Sequence, residues 1–171
     1  MSTYNFTVHL DRVPDDDGYD RLYEAGLDDT GLETGADGRA WLTVAREAGD
    51  MAQAIVSVVT QIARAGYRAV GIETEDLVNL SVIARRTGRT RESVRLLAAG
   101  KRGPGGFPPP ATTGHTPLYS WSAVRNWFAV TNTEALEPAD ADEDTLAAAD
   151  LLLRARLLMP HLGGLKPLID A

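Results

Sequence analysis

The stretch LSVIARRTGRTRESVRLLAAG (Leu80–Gly100) decides how the middle of this chain folds. It holds two short apolar patterns at helical spacing, and each has a residue suited to cap a helix N-terminus, Ser81 for the first and Thr90 for the second. A small residue, a turn glycine and a β-branched residue follow one another at Ala84, Gly88 and Val94. Ordinary helical hairpins do not need those three residue types at those offsets. The spacing therefore predicts a helix-turn-helix.

Charge is segregated along the chain in a way that the formal net charge of −7 hides. Residues 1–76 carry 6 basic and 15 acidic side chains, residues 77–130 carry 8 and 1, and residues 131–171 carry 3 and 8. The helix-turn-helix thus lies in a basic block between acidic segments, and this block is where we expect an anion to bind.

A glycine-rich loop and an aromatic segment follow the two helices. We interpret Gly100–Gly114 as a wing that lies on a nucleic-acid backbone, with its glycines allowing close approach and Phe107 as its anchor. Thr116–Trp121 reads as a strand, and Ser122 is expected to cap a third helix. The alternatives, a nucleotide-binding loop and a basic connector, explain Phe107 less well.

The order of these parts resembles a known family. Two helices about a tight turn, a glycine-rich loop, FPPP (Phe107–Pro110) and YSWSAVRNW (Tyr119–Trp127) are similar to the winged helix-turn-helix of the MerR superfamily and of the AlpA-like excisionases. The resemblance covers residues 77–130, about a third of the chain. It implies double-stranded DNA as the partner and regulation of transcription as the function.

Positions on the second helix divide the expected DNA contacts into two sets. In a helix-turn-helix the N-terminal part of the second helix, here Thr90–Ala98, enters the major groove. With Val94 and Leu97 facing inward, the residues expected to read bases are Arg91, Glu92 and Arg95. The residues expected to contact the DNA backbone are Ser81, Arg85, Arg86, Arg89, Thr90, Ser93, Lys101 and Arg102.

The acidic first segment predicts a separate α+β unit. Strand and helix patterns alternate in the order β-α-β-β-α-β, which is typical of a ferredoxin-like sandwich. The segments are Tyr4–Leu10, Tyr19–Gly26, Leu32–Thr34, Arg39–Glu47, Asp50–Gly66 and Tyr67–Thr74. Such a sandwich hosts many activities, so its function is not fixed by this pattern.

The C-terminal segment reads as an acidic linker, Glu137–Thr145, followed by an amphipathic helix, Leu146–Leu158. Because one helix-turn-helix contacts few base pairs, we expect a homodimer, whose contact is provided either by the leucine-rich face of this helix or by the acidic N-terminal sheet. The resulting domain boundaries are 1–76, 77–130 and 131–171. The fold class is α+β, with a ferredoxin-like sandwich, a central winged helix-turn-helix and a C-terminal amphipathic helix.

Several functional classes are disfavoured by what the sequence lacks. There is no cysteine and the three histidines are scattered, so we expect no metal, no cofactor and no catalytic site, and a cytoplasmic location. No apolar run has the ~20 residues that a membrane span needs. Two alternatives stay open: an interaction module, such as an antitoxin or adaptor, whose acidic first domain binds a protein partner, and an enzyme with a pocket in the first domain.

Overall fold

The computed structural model describes residues 1–112, 115–131 and 141–158. The first part of the chain forms four strands and two helices. They are β1 (Ser2–Leu10), α1 (Asp16–Glu24), β2 (Thr30–Thr34), β3 (Ala40–Ala48), α2 (Met51–Arg64) and β4 (Ala69–Ile72). The rest forms β5 (Leu77–Val78), α3 (Leu80–Arg86), α4 (Arg91–Ala98), β6 (Tyr119–Ser120), α5 (Trp121–Val130) and α6 (Ala141–Leu158).

The chain divides into two compact units. The first unit comprises Met1–Glu73 together with α6 from Thr145 onward, and the second comprises Thr74–Asp144. The C-terminal helix therefore belongs largely to the first unit instead of forming a third segment, which differs from the boundaries that charge and composition suggested.

The first unit is built on a four-stranded antiparallel sheet with the strand order β2-β3-β1-β4. Its fold class is α+β, as expected from the alternating patterns. Phe6, Val8 and Leu10 alternate along β1 and are buried, whereas the residues between them are more exposed. This period of two is the signature of a strand with one covered face.

A single apolar core joins the sheet to the helices of the first unit. It combines sheet residues such as Leu42 and Val44 with Leu22 of α1 and with Val58 and Ile62 of α2. Asp50 caps α2, because its side chain accepts a hydrogen bond from the Gln53 amide at 2.7 Å. The predicted cap and helix are thus confirmed.

The helix α6 covers the β4 edge of the sheet. Leu153 of α6 is buried in the core of the first unit, and Leu146 and Ala149 pack against it. The Asp150 carboxylate accepts a hydrogen bond from the Ile72 amide at 2.9 Å, and Arg156 donates to the Ala69 carbonyl at 2.9 Å. These side chains form hydrogen bonds with main-chain groups of β4 that an uncovered edge strand would offer to a strand of another chain.

The second unit has its own core. The α3, α4 and α5 helices contribute Ile83, Val94, Leu97, Val124 and Phe128, all nearly inaccessible to solvent. The short strands β5 and β6 form a separate two-stranded antiparallel sheet.

Three local expectations were wrong. The first helix of the second unit is capped by Asn79 and not by Ser81, and the last is capped by Ser120 and not by Ser122. The strand expected over Thr116–Trp121 is confined to Tyr119–Ser120, and Trp121 begins α5.

The acidic linker expected over Glu137–Thr145 is also corrected. From residue 141 onward it is the first turn of α6, and its residues 137–140 lie outside the described part of the chain. The three carboxylates at the start of α6, Asp142, Glu143 and Asp144, lie where the helix dipole favours negative charge. A run of acidic residues can therefore start a helix as well as extend a linker.

Candidate nucleic-acid interface

The end of α3 and the start of α4 set the geometry of the turn between these two helices. At the end of α3, Gly88 has φ +64°, and the amide of Arg89 donates to the Ala84 carbonyl at 2.9 Å. The expected left-handed glycine is confirmed, because this pattern of closure needs a positive φ. Thr90 then caps α4 by accepting from the Ser93 amide at 3.1 Å, as predicted.

The three residues expected to read bases lie on the exposed side of α4. Val94 and Leu97 are buried on the other side, so Arg91, Glu92 and Arg95 face solvent. The predicted division of α4 into inner and outer faces is therefore confirmed, while the contact with DNA stays a prediction.

Within this exposed set, Glu92 and Arg95 form a bidentate ion pair. Nε and Nη2 of Arg95 donate to the two carboxylate oxygens of Glu92 at 2.7 and 2.6 Å. This hydrogen-bonded pairing, reinforced by the charges of Arg95, Arg91 and Lys101, holds the pKa of Glu92 below its ordinary value. The same pairing raises the pKa of Arg95. Arg91 forms no ion pair with another described residue.

The cations expected to contact the DNA backbone fall into two groups. Some make contacts within the protein, and the others are exposed to solvent. Arg86 pairs with Glu75 at 2.7 Å, and its guanidinium lies 5.1 Å from the centre of the Trp121 ring. Arg89 lies 5.4 Å from the centre of the Phe128 ring. These two arginines therefore brace the second unit through cation–π contacts.

Three other cations are exposed and form no ion pair within the described residues: Arg85, Lys101 and Arg102. Of the polar residues expected at the backbone, Ser81 and Thr90 are exposed and Ser93 is half-buried. The outward-facing cations thus lie on α3, on α4 and in the loop that follows α4.

The glycine-rich loop is attached to its own unit through aromatic contacts. The half-buried Phe107 meets Tyr119, Trp127 and Phe128 edge to face, with ring centres 5.9, 5.1 and 6.4 Å apart. The Trp127 indole donates to the carbonyl of Gly105 at 2.9 Å. The predicted anchoring role of Phe107 is confirmed, although residues 113 and 114 at the end of the expected wing lie outside the described part.

One glycine of this loop is required by close packing. A Cβ at Gly103, where φ is +79°, would lie 2.7 Å from Cδ2 of Leu97. The loop also leaves α4 through a regular closure, in which the amide of Lys101 donates to the Leu96 carbonyl at 2.9 Å and Gly100 has φ +66°. Lys101 is therefore held at the helix end.

Two contributors to the second unit were not found from the sequence. Arg125 belongs to the basic block, yet its side chain is only 8% exposed and is paired with Glu143 at 3.2 Å and with Asp144. Asp76 accepts from the amides of Trp121 and Ser122 and so fixes the start of α5. No local pattern signals either role, because both depend on partners at least 18 residues away.

Neither a metal site nor a membrane-spanning helix is found in the described ranges. Among these residues no group of three histidine, cysteine or acidic side chains is arranged to hold a metal ion. None of the helices described is long and apolar enough to cross a membrane.

The chain matches no protein-family model, no curated protein and no solved structure.

Proposed function

We propose that this chain is a sequence-specific DNA-binding protein, a cytoplasmic transcriptional regulator that reads the major groove with Thr90–Ala98. The observation that carries the proposal is the two-sidedness of α4: its apolar side is buried, and its exposed side presents Arg91, Glu92 and Arg95 near the N-terminal end. That is the part of a recognition helix that meets base edges.

The chemistry of this surface suits DNA bases. An arginine pairs in a bidentate manner with O6 and N7 of guanine, and a carboxylate accepts from N4 of cytosine. Arg91 is available for such a contact without breaking an ion pair. In the free protein Glu92 positions the Arg95 side chain through their ion pair. On binding a guanine, Arg95 either gives up this ion pair or keeps it.

The backbone contacts are assigned to the exposed cations. Arg85, Lys101 and Arg102 supply charge to phosphates, and the loop Gly100–Gly114 acts as the wing. Ser81, Thr90 and Ser93 add hydroxyl donors, whereas Arg86 and Arg89 contribute from their stacked positions. The two-stranded sheet and the anchored loop support a winged form of the helix-turn-helix.

For the first unit we propose a ferredoxin-like sandwich. The element order β-α-β-β-α-β and the antiparallel strand order β2-β3-β1-β4 support this assignment.

We further propose that the protein acts as a homodimer, because paired half-sites give a helix-turn-helix useful specificity. The exposed side of α6 supports this proposal, since Leu151, Leu152 and Leu158 are 67, 71 and 59% exposed.

A second candidate function is binding of a protein partner through the acidic first unit. Tyr19 and Tyr23 stand one turn apart on the exposed side of α1, among Asp16, Asp17 and Asp20. Exposed tyrosines beside carboxylates fit a basic protein surface better than they fit DNA.

The decisive experiment selects bound duplexes from a random DNA pool and then titrates the full chain on the best site and on random DNA at several salt concentrations. We expect log affinity to fall with log salt by roughly 0.9 for each phosphate contacted. Arg91→Ala should weaken the best site about ten- to hundredfold and random DNA much less. Lys101→Ala with Arg102→Ala should weaken both and reduce the salt slope by up to about 2.

Arg64→Ala is the matched control, because Arg64 is an exposed arginine in the last turn of α2 in the first unit. Affinity should be unchanged in this variant. The proposal fails if the folded protein binds no duplex at about 50 mM salt. It also fails if Arg91→Ala and Arg64→Ala behave alike, since α4 would then not read bases.

A further inference from the structure

A cavity of about 810 Å³ opens in the first unit. Its wall is formed by the residues that follow β1, the C-terminal half of α2, the segment that leads into β4 and the last turn of α6. This volume lies in the range of roughly 300–1,000 Å³ that is usual for small-molecule sites. None of the proposed DNA-contacting residues lines this cavity.

The charge of the wall is strongly positive although the segment around it is acidic. Three guanidinium groups line the cavity, from Arg12, Arg68 and Arg156, against one carboxylate, that of Asp11. Both oxygens of Asp11 are already engaged, one by Arg12 at 2.8 Å and the other by the Arg68 amide at 2.9 Å. The cavity therefore offers donors in excess, which suits an anion.

Two of the three guanidinium groups are held in place by contacts that leave donors to spare. Arg12 donates to the Gly66 carbonyl at 2.7 Å, and its guanidinium carbon lies 4.5 Å from the centre of the Tyr67 ring. Arg156 donates to the Ala69 carbonyl at 2.9 Å. Since a guanidinium has five N–H donors, each keeps others for a ligand, and a fixed guanidinium loses less entropy on binding.

The rest of the wall is apolar. Val59 and Ala63 of α2 and Leu157 of α6 line the cavity, beside the ring of Tyr67. An inorganic ion would leave this surface in contact with water, whereas a ligand with an apolar body would cover it and gain hydrophobic stabilisation.

We propose that this cavity binds a small organic anion. Its carboxylate or phosphate group is held by Arg12, Arg68 and Arg156, and its apolar body packs on Val59, Ala63 and Leu157. The first unit then has a ligand-binding activity of its own, which stands or falls separately from the proposed DNA binding.

The test titrates the full chain, labelled with nitrogen-15, with phenyl phosphate and with benzoate, and follows the amides of Gly66, Tyr67 and Arg68 by NMR. We expect saturable shifts of these amides with at least one of the two anions, which also identifies the preferred acid group. Inorganic phosphate lacks the apolar body and benzyl alcohol lacks the charge, so each should bind at least tenfold more weakly.

Variants distinguish binding in this cavity from a general attraction between the anion and the positive charges of the protein. Arg68→Gln should weaken binding about ten- to hundredfold, the effect expected for losing hydrogen bonds to a charged group, and Arg68→Lys should recover part of it. Arg68 is exposed and its side chain forms no ion pair with another described residue, so the substitution should leave the protein folded. Arg64→Gln removes the same charge from the same unit but lines no part of the cavity, and it should bind as the parent does.

Three results would overturn the proposal. The first is that neither aromatic anion gives saturable shifts at these amides up to about 10 mM. The second is that inorganic phosphate or benzyl alcohol binds as tightly as the aromatic anions. The third is an equal loss in Arg64→Gln and Arg68→Gln, which would show a diffuse charge effect.

Discussion

Single polar side chains decide where the helices of the second unit begin. The Asn79 side chain accepts hydrogen bonds from the amides of Ser81 and Val82, both at 3.0 Å, and Ser120 accepts from the Ala123 amide at 3.2 Å. Ser81 and Ser122 stand two residues later, so they lie inside the first turn, where a side chain no longer caps the helix. The sequence pattern therefore located both helix starts but named the wrong capping residue at each.

Replacing the true cap tests this assignment. Asn79→Ala leaves two amides of α3 without a side-chain acceptor, and it should lower the free energy of unfolding of the second unit by about 1 kcal/mol. Urea unfolding followed by the fluorescence of Trp121 and Trp127 measures the change. Ser81→Ala is the control and should change stability by less than about 0.5 kcal/mol. Equal effects of the two substitutions would contradict the assignment of Asn79 as the cap.

The Glu92–Arg95 pair gives a second prediction at this scale. The pKa of the Glu92 carboxyl, measured by NMR titration, should lie below its ordinary value and should return towards it in Arg95→Gln, because the hydrogen bond from Arg95 is the largest cause of the shift. Lys101→Gln should change it less, since Lys101 acts only through its charge and is the smallest contributor.

The sign of the pH dependence follows from this lowered pKa. A carboxylate with a lowered pKa in the folded state contributes stability above its ordinary pKa and loses it as the pH falls through the lowered value. The pair should therefore be intact at neutral pH and lost only in acid. An ordinary pKa for Glu92 in the parent protein would show that the pair does not persist in solution.

At the scale of elements, α6 has two unlike sides. Leu153 is 7% exposed in the core of the first unit, whereas its neighbour Leu152 is 71% exposed. Asp150 and Arg156 on the covered side form hydrogen bonds with main-chain groups of β4. The sequence predicted a broad leucine-rich face on this helix, and packing decided which of its leucines joined the core.

Two neighbouring leucines make a matched pair for testing this orientation. Leu153→Ala removes buried methyl groups and leaves a cavity, so it should lower the free energy of unfolding by about 2–5 kcal/mol. Leu152→Ala should change it by less than about 0.5 kcal/mol. Alanine keeps the helix propensity in both variants, so the comparison isolates burial. Similar losses for both, measured by thermal unfolding, would mean that α6 packs in another orientation.

At the scale of the whole molecule, charge and exposed apolar surface are distributed unevenly. The cations of residues 77–130 are largely outward-facing, but Arg125 is buried and neutralised and Arg86 is paired, so the presented charge is smaller than the sequence count. The leucines of α6 that face solvent supply the apolar surface on which the proposed dimer depends.

Self-association provides the test at this scale. Multi-angle light scattering over a range of concentrations should report a dimer for the full chain. Leu151→Glu with Leu152→Glu should shift it to a monomer, because charges would be buried in the proposed contact. Val56→Glu is the control, since Val56 on α2 is 65% exposed, much as Leu151 is at 67%. A parent protein that stays monomeric at high concentration would rule out the dimer. An equal effect of Val56→Glu would show that the dimer contact is not specific to α6.

Elements whose pattern is local were predicted well. The alternation in β1, the capped apolar stripe of α2 and the turn at Gly88 each depend on neighbours within about four residues, so they can be read along the chain. The inner and outer sides of α4 followed from the same helical period. Thr90 was identified as a cap because its partner, the amide of Ser93, is only three residues away.

The sequence by itself therefore determined the α+β class, the main helices and strands and the exposed side of α4. Only the tertiary structure decided the pairing of Arg125 with Glu143 and Asp144, the stacking of Arg86 on Trp121, the identity of the rings that Phe107 contacts and the covering of β4 by α6. The physical reason is range. Periodicity records which side of an element is apolar, but an ion pair, a ring contact or a covered strand edge depends on residues that the folded chain brings together from far apart, and nothing in the local pattern names those partners.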